Sequence, residues 1–481
     1  MRRPSSLAKW GPARRAGRVL ALAGLTAVAA AGCLGGGADE SSTDPNRNAG
    51  AKEFTLTVTS NAIAGGKNAE GADFLVDYVI PKFVEQQKEK GVTATINFEP
   101  NGVDDAEYKS KIGLDLEAGK GADIIDIDGI WVGEFAASNF IKPLEEVVGA
   151  DAANGWDGWS QIQNSVQQNA SYNQKRYGVP SGTDGRVIYF NKDVFAAAGL
   201  AADWQPTSWA DIIAAAQAIA DKTDATPLQL NAGTAMGEAT TMQGVLPLLA
   251  GTGKEIFADG KWQGDSPAVR QVLDLYHQVY SGDLGDATLQ QEAKGRDKSF
   301  ERFSKGKIGM LLESDYFWRD VVKPGSAVAP MPDRDEKVGW AKIPAMTPGA
   351  GVGAQDFVSM SGGAAQVLNP NTDYPQQAWE LMKFMASAET VKELVKDTPR
   401  ITQRDDVNAE VLAGDPMLTF IATEVVPLTR FRPGELSYLQ VSTALQEATY
   451  AIVDGATVEE AAAAYQAALE GIVGADHIAT Q

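Results

Sequence analysis

The chain has 481 residues, 44% of them apolar and 22% charged, which is enough for two or three domains with substantial cores. Its formal net charge of −21 argues against nucleic acid as a partner, while acidity alone names no substrate. A single cysteine, Cys33, excludes an intrachain disulfide, and two histidines, His277 and His477, leave almost no room for a histidine-based triad or zinc site.

The elements begin with a basic stretch. Arg2, Arg3, Lys9, Arg14, Arg15 and Arg18 precede the apolar run VLALAGLTAVAAAGC, which is too short for a standard membrane span. The small residues before Cys33 resemble a bacterial lipoprotein signal, with Ala30 where leucine is usual. That resemblance implies a signal peptide over 1–32, lipidation at Cys33 and anchoring to the outer face of the cytoplasmic membrane. The text after Arg14–Arg15 fits twin-arginine export poorly. LGGGADESSTDPNRNAG reads as a polar tether, so that 33–52 joins anchor to body.

FTLTVTSN (54–61) alternates as a strand, and Leu75, Val79 and Phe83 then share a helix face that Pro81 kinks or delays. VTATINF (92–98) is a second strand, Tyr108, Ile112 and Leu116 mark a second helix, and IIDID (124–128) reads as a buried parallel strand. The order strand, helix, strand, helix, strand signifies an α/β architecture. Further strands are predicted at RVIYF (186–190), TPLQL (226–230) and KIGMLLE (307–313), with a capped helix at 208–221. From about Tyr374 the chain reads as largely helical.

No G-x-S-x-G elbow or Walker loop occurs, and His277 lies in the helical run VRQVLDLYHQVY. DPNRNAG (44–50) fails as a calcium loop because Pro45 intrudes and Thr55 stands where the bidentate Glu belongs. Neither metal nor cofactor is predicted. What remains is carboxylates, amides and aromatics, concentrated in DIDGIWVGEF (126–135). Asp and Trp at a strand end suit two chemistries: the paired carboxylates of a glycosidase, such as Asp128 with Glu134 or Asp184, or a grip on sugar hydroxyls and a ring face.

Six segments in order carry a resemblance: ADIIDIDGIWVGEFAASNFIKPLEEV, RYGVPSGTDGRVIYFNKDVFAAAGL, PTSWADIIAAAQAI, FSKGKIGMLLESDYFW, YPQQAWELMKFMASAE and ITQRDDV. Together they resemble the family-1 extracellular solute-binding proteins of bacterial ABC importers, related to maltodextrin-binding protein, from about residue 53 to the C-terminus. The resemblance implies a periplasmic-binding-protein-like fold, two α/β lobes with a hinge and an inter-lobe ligand cleft. It places the crossings near Ser181–Arg186 and Gly339–Pro344, with one lobe from 53–184 and 341–390 and the other from 185–340 and 391–481. It implies a monomeric binder, not an enzyme. Such a binder delivers a sugar, or another polar solute such as a polyol or glycerol phosphodiester, to membrane permease subunits.

The resemblance puts Asp128 and Trp131 at the cleft-lining strand end, with Asp126 either beside them or buried in the strand. Thr183, Asp184 and Arg186 follow Y-G-V-P, where Asp184–Arg186 either meets the ligand or forms a structural ion pair. It adds Asp315, Tyr316 and Trp318 after a second-lobe strand, Gln355 and Asp356 in a Gly-rich loop, and Glu238 in NAGTAMGEATT. Asn61 and Lys67 complete the set where relatives place an aromatic.

Overall fold

The computed structural model describes residues 44–479; the expected signal peptide and Cys33 lie outside them. In the first sheet, Glu53–Ser60 runs parallel to both Thr93–Pro100 and Ile124–Asp128, and Ala364–Leu368 and Gly178–Pro180 extend the order beyond Asp128's strand. Parallel neighbours require crossovers, supplied by the helical run 69–89 and by Asp105–Glu117. Pro81 has no N–H to return to the turn before it, and a wider π turn at Leu75–Val79 takes up the difference.

The second sheet has the order Val338–Ala341, Arg186–Asn191, Ile308–Ser314, Thr226–Gln229. Every residue of its two central strands is buried, as expected for strands covered on both faces. Around it lie Trp209–Lys222, whose Ser208 cap accepts from the Asp211 N–H, and the long helices Pro267–Ser281, Tyr438–Val453 and Val458–Val473. The last begins with a reciprocal capping box between Thr457 and Glu460.

The chain passes from the first sheet to the second between Pro180 and Arg186 and returns between Ser361 and Ala364. These two passages are tied together. Asp184 accepts from the Gly362 N–H at 2.6 Å, and the Ser181 N–H donates to the Ala364 carbonyl at 2.9 Å. Gly363, at φ 151°, lies so close to the Gly182 carbonyl that a Cβ there would meet its oxygen at 2.5 Å.

Three expectations are corrected at the level of packing. The return to the first sheet is at Ala364, not near Gly339–Pro344, because Ile343–Pro344 pairs with Phe357–Ser361, which in turn pairs with Thr429–Phe431. The chain does not leave the first sheet's surroundings at 391: Val391, Leu394 and Gln403 still line a pocket with Val58 and Asp126. Only from the helix Pro416–Phe420 does it cover the second sheet, where Met417 meets the Tyr189 hydroxyl at 3.7 Å. Finally, residues 44–51 are not loose tether. Arg47 donates to the Thr372 and Pro370 carbonyls at 2.6 and 2.9 Å, and Gln377 donates to the Asn48 carbonyl at 2.7 Å.

Candidate functional site

Strands in a parallel sheet end on one side, where their loops leave a crevice. Here the carboxyl ends of Glu53–Ser60 and Ile124–Asp128 open into a pocket of about 610 Å³ lined by Asn61, Asp126, Asp128 and Trp131 among others. Asp128 accepts from the Ile130 N–H at 3.1 Å and from Arg432 at 3.4 Å. Burial raises its carboxyl above the usual range, and the Arg432 guanidinium opposes that rise. Asp126 accepts from the Ser181 hydroxyl at 3.2 Å, and burial pushes its carboxyl up to about 7. The Trp131 indole is only 6% exposed and packs at 6.2 Å from Tyr108 and 6.4 Å from Phe135, centre to centre. It is chiefly a core residue with an edge on the pocket.

Arg432 was not anticipated. It bridges Asp128 of the first sheet and Glu238, at 3.4 and 3.3 Å, and its buried Nε has no partner among the described residues. Glu238 also accepts from the Tyr438 hydroxyl at 3.0 Å and from Ser442. The Arg432 segment is pressed onto the helix Trp131–Ala137: a Cβ on Gly133 would meet the Gly434 carbonyl oxygen at 2.1 Å. FRPGE offers no periodicity that could have marked this arginine, since its position depends on a contact about 300 residues away in sequence.

The Asp184–Arg186 alternative resolves toward the ion pair. Arg186 is 6% exposed, pairs with Asp184, and donates to Gln243 at 2.8 Å and to the Met360 carbonyl at 3.1 Å. Asp315, 2% exposed, accepts from the Gly185 N–H and is pushed up to about 6 by burial and by Asp184. These residues hold the passage between sheets. The Thr183 hydroxyl is buried there without a partner among the described residues.

Trp318, Tyr316, Gln355 and Asp356 do not line the pocket, whereas Asn61 does. Trp318, 2% exposed, donates to Asp415 at 2.9 Å and carries the Arg334 guanidinium 3.7 Å above its ring. Tyr316 is exposed beside Arg296. Gln355 and exposed Asp356 precede the Phe357–Ser361 strand away from the pocket, and the buried Gln355 Oε1 has no partner among the described residues. Asn61 and Lys67 both donate to the Val103 carbonyl and to Asp105, so Lys67 is neutralised. Glu134 is held by Lys109, away from any pairing with Asp128.

The sequence profile of bacterial extracellular solute-binding proteins matches residues 68–392. Three solved structures are similar in fold. An ABC transporter solute-binding protein of Thermotoga lettingae TMO, bound with α-D-tagatose, is 23% identical with a TM-score of 0.62, covering 87% of this chain and 100% of that one. The cyclic α-maltosyl-1,6-maltose binding protein of Arthrobacter globiformis is 19% identical with a TM-score of 0.66, covering 88% and 99%. An ABC transporter solute-binding protein of Agrobacterium radiobacter K84, in complex with ribitol, is 21% identical with a TM-score of 0.57, covering 87% and 98%.

Proposed function

From the premise that this chain belongs to the bacterial extracellular solute-binding proteins of ABC transporters, we propose that its solute is a carbohydrate or polyol. The observation that carries this reading is the pocket at the strand ends. Asp126 and Asp128 offer acceptor oxygens, Asn61 and Trp131 border them, and Arg432 ties the pocket's edge to Glu238 on the other lobe. Carboxylates accept from hydroxyls, and apolar walls meet the C–H face of a ring. The pocket volume falls within the range of about 300–1,000 Å³ usual for small ligands.

The passages at Ser181–Gly185 and Gly362–Gly363 act as the hinge. Arg432, which bridges Asp128 and Glu238 here, holds the lobes together over a bound solute, and that closed form docks on the permease. Lipidation at Cys33 keeps the body near that permease; replacing Cys33 by Ser is expected to release the protein from the membrane fraction. A hydrolase is disfavoured by the Glu134–Lys109 pair and by the role of Asp184 in the passage.

The direct test is a thermal-shift screen of the full chain against mono-, di- and oligosaccharides and polyols. A solute at a hundred times its Kd adds about 2.7 kcal/mol of stability, visible as a raised midpoint. A hit recovered intact supports binding without cleavage. Release of reducing ends would favour the hydrolase, and a panel with no shift would remove the carbohydrate assignment.

A further inference from the structure

The pocket does not stop at Asp128 and Trp131. Strand pairing sets Val58 beside Ile124 and Gln366 opposite Asp126. With side chains alternating along each strand, Val58, Asp126, Asp128 and Gln366 share one face of the first sheet, opposite to that of Ile127. All of these line the one pocket, which runs from the strand end at Asp128 back along that face to Asp126 and Gln366. Leu75, on the π turn, and Val391, on the helix Ala388–Val395, supply its aliphatic sides.

The polar groups here keep hydrogen-bonding capacity that faces the pocket. Gln403 is 5% exposed and lines the pocket, yet its amide has no hydrogen-bond partner among the described residues. The Gln366 amide nitrogen reaches only the Met385 sulfur, at 3.9 Å, a weak acceptor. Asp126 has one hydroxyl donor. One amide without a protein partner, one with only a sulfur contact and one carboxyl with a single donor thus border the same space, and an occupant that both donates and accepts would satisfy them. Hydroxyl groups do both.

Charge narrows the class. Among the described residues lining the pocket there are four carboxylates, Glu70, Asp105, Asp126 and Asp128, and one guanidinium, Arg400, which is tied to Glu70 at 3.3 Å. An anionic group entering here finds no free cation and several acids.

Resting on the solute-binding reading above, we propose that Asp126, Gln366 and Gln403 form an inner subsite of this pocket, further from the strand end than Asp128. It receives a neutral, hydroxylated end group of the solute and rejects the anionic counterpart.

The test uses the full chain, titrated calorimetrically with D-glucose, maltose, D-tagatose and ribitol, and with glucose 6-phosphate and glucuronate. At least one neutral probe is expected to bind, with its anionic counterpart weaker by about a hundredfold. Gln403→Leu, nearly the same shape, is expected to weaken the neutral probe by about tenfold while leaving the urea midpoint unchanged or raised. Gln403→Glu, which restores hydrogen-bonding capacity but adds charge, serves if the leucine variant does not fold, and is expected to bind more weakly than wild type. Equal affinity in wild type and the soluble Gln403 variant overturns the subsite while solute binding stands. Preference for an anionic probe overturns it as well. If the wild-type chain binds no probe, the subsite and the carbohydrate reading fall together.

Discussion

Replacing Trp131 by alanine separates packing from recognition at the strand end. The indole is 6% exposed and sits among Tyr108 and Phe135 in a small core on one face of the first sheet. Truncating a buried tryptophan removes its transfer energy and leaves a cavity, together about 3–5 kcal/mol. Some of that is recovered if the pocket lets water reach the space, which places the expected loss near the lower end of the range. Trp131→Phe keeps a ring in the same place and is expected to lose less. The assay is urea unfolding of the full chain, with affinity measured separately below the start of the transition. A loss under about 1 kcal/mol, outside the cost of deleting a buried aromatic, would refute the packing described. Weakened binding with unchanged stability would instead make Trp131 a stacking surface rather than a core residue.

Arg432→Met is expected to weaken solute binding and to destabilise the chain. The loss is smaller than the roughly 3–5 kcal/mol of a fully buried pair, because Asp128 and Glu238 remain 38% and 35% exposed at the side chain; calorimetric titration and urea unfolding read the two effects. Asp126 titrates at about 7 when folded against an ordinary 3.8, so the folded state holds the extra proton and stability falls as pH rises through that interval. Asp126→Asn should flatten that part of the stability–pH curve, and an unchanged slope would contradict the burial of this carboxyl. Thr457→Ala removes the cap of the Val458–Val473 helix and should cost about 1 kcal/mol without altering solute affinity.

The local half of this protein is legible in its residues. Alternation in FTLTVTSN, the apolar run IIDID, and the shared face of Tyr108, Ile112 and Leu116 became the parallel sheet and its crossover as read. Pro81 marked a real disturbance, and Asp126, Asp128 and Trp131 do gather at one pocket. The candidates that lie outside the pocket share a cause. Trp318 and Asp315 carry the side chains of a sugar site, but a residue type does not reveal how deeply its segment packs: Asp315, just past the strand Ile308–Ser314, and Trp318, in the π turn Phe317–Val321, are both buried.

Periodicity, capping and the chemistry of carboxylates beside an indole are properties of neighbours within a few residues, and so they survive in the linear chain. Arg432 beside Asp128, Gln403 in the pocket with Asp126, and the passage from Ser361 to Ala364 depend on segments hundreds of residues apart being brought to one sheet edge. No short-range pattern encodes that meeting. It follows from how two buried sheets pack their helices and where their strands end.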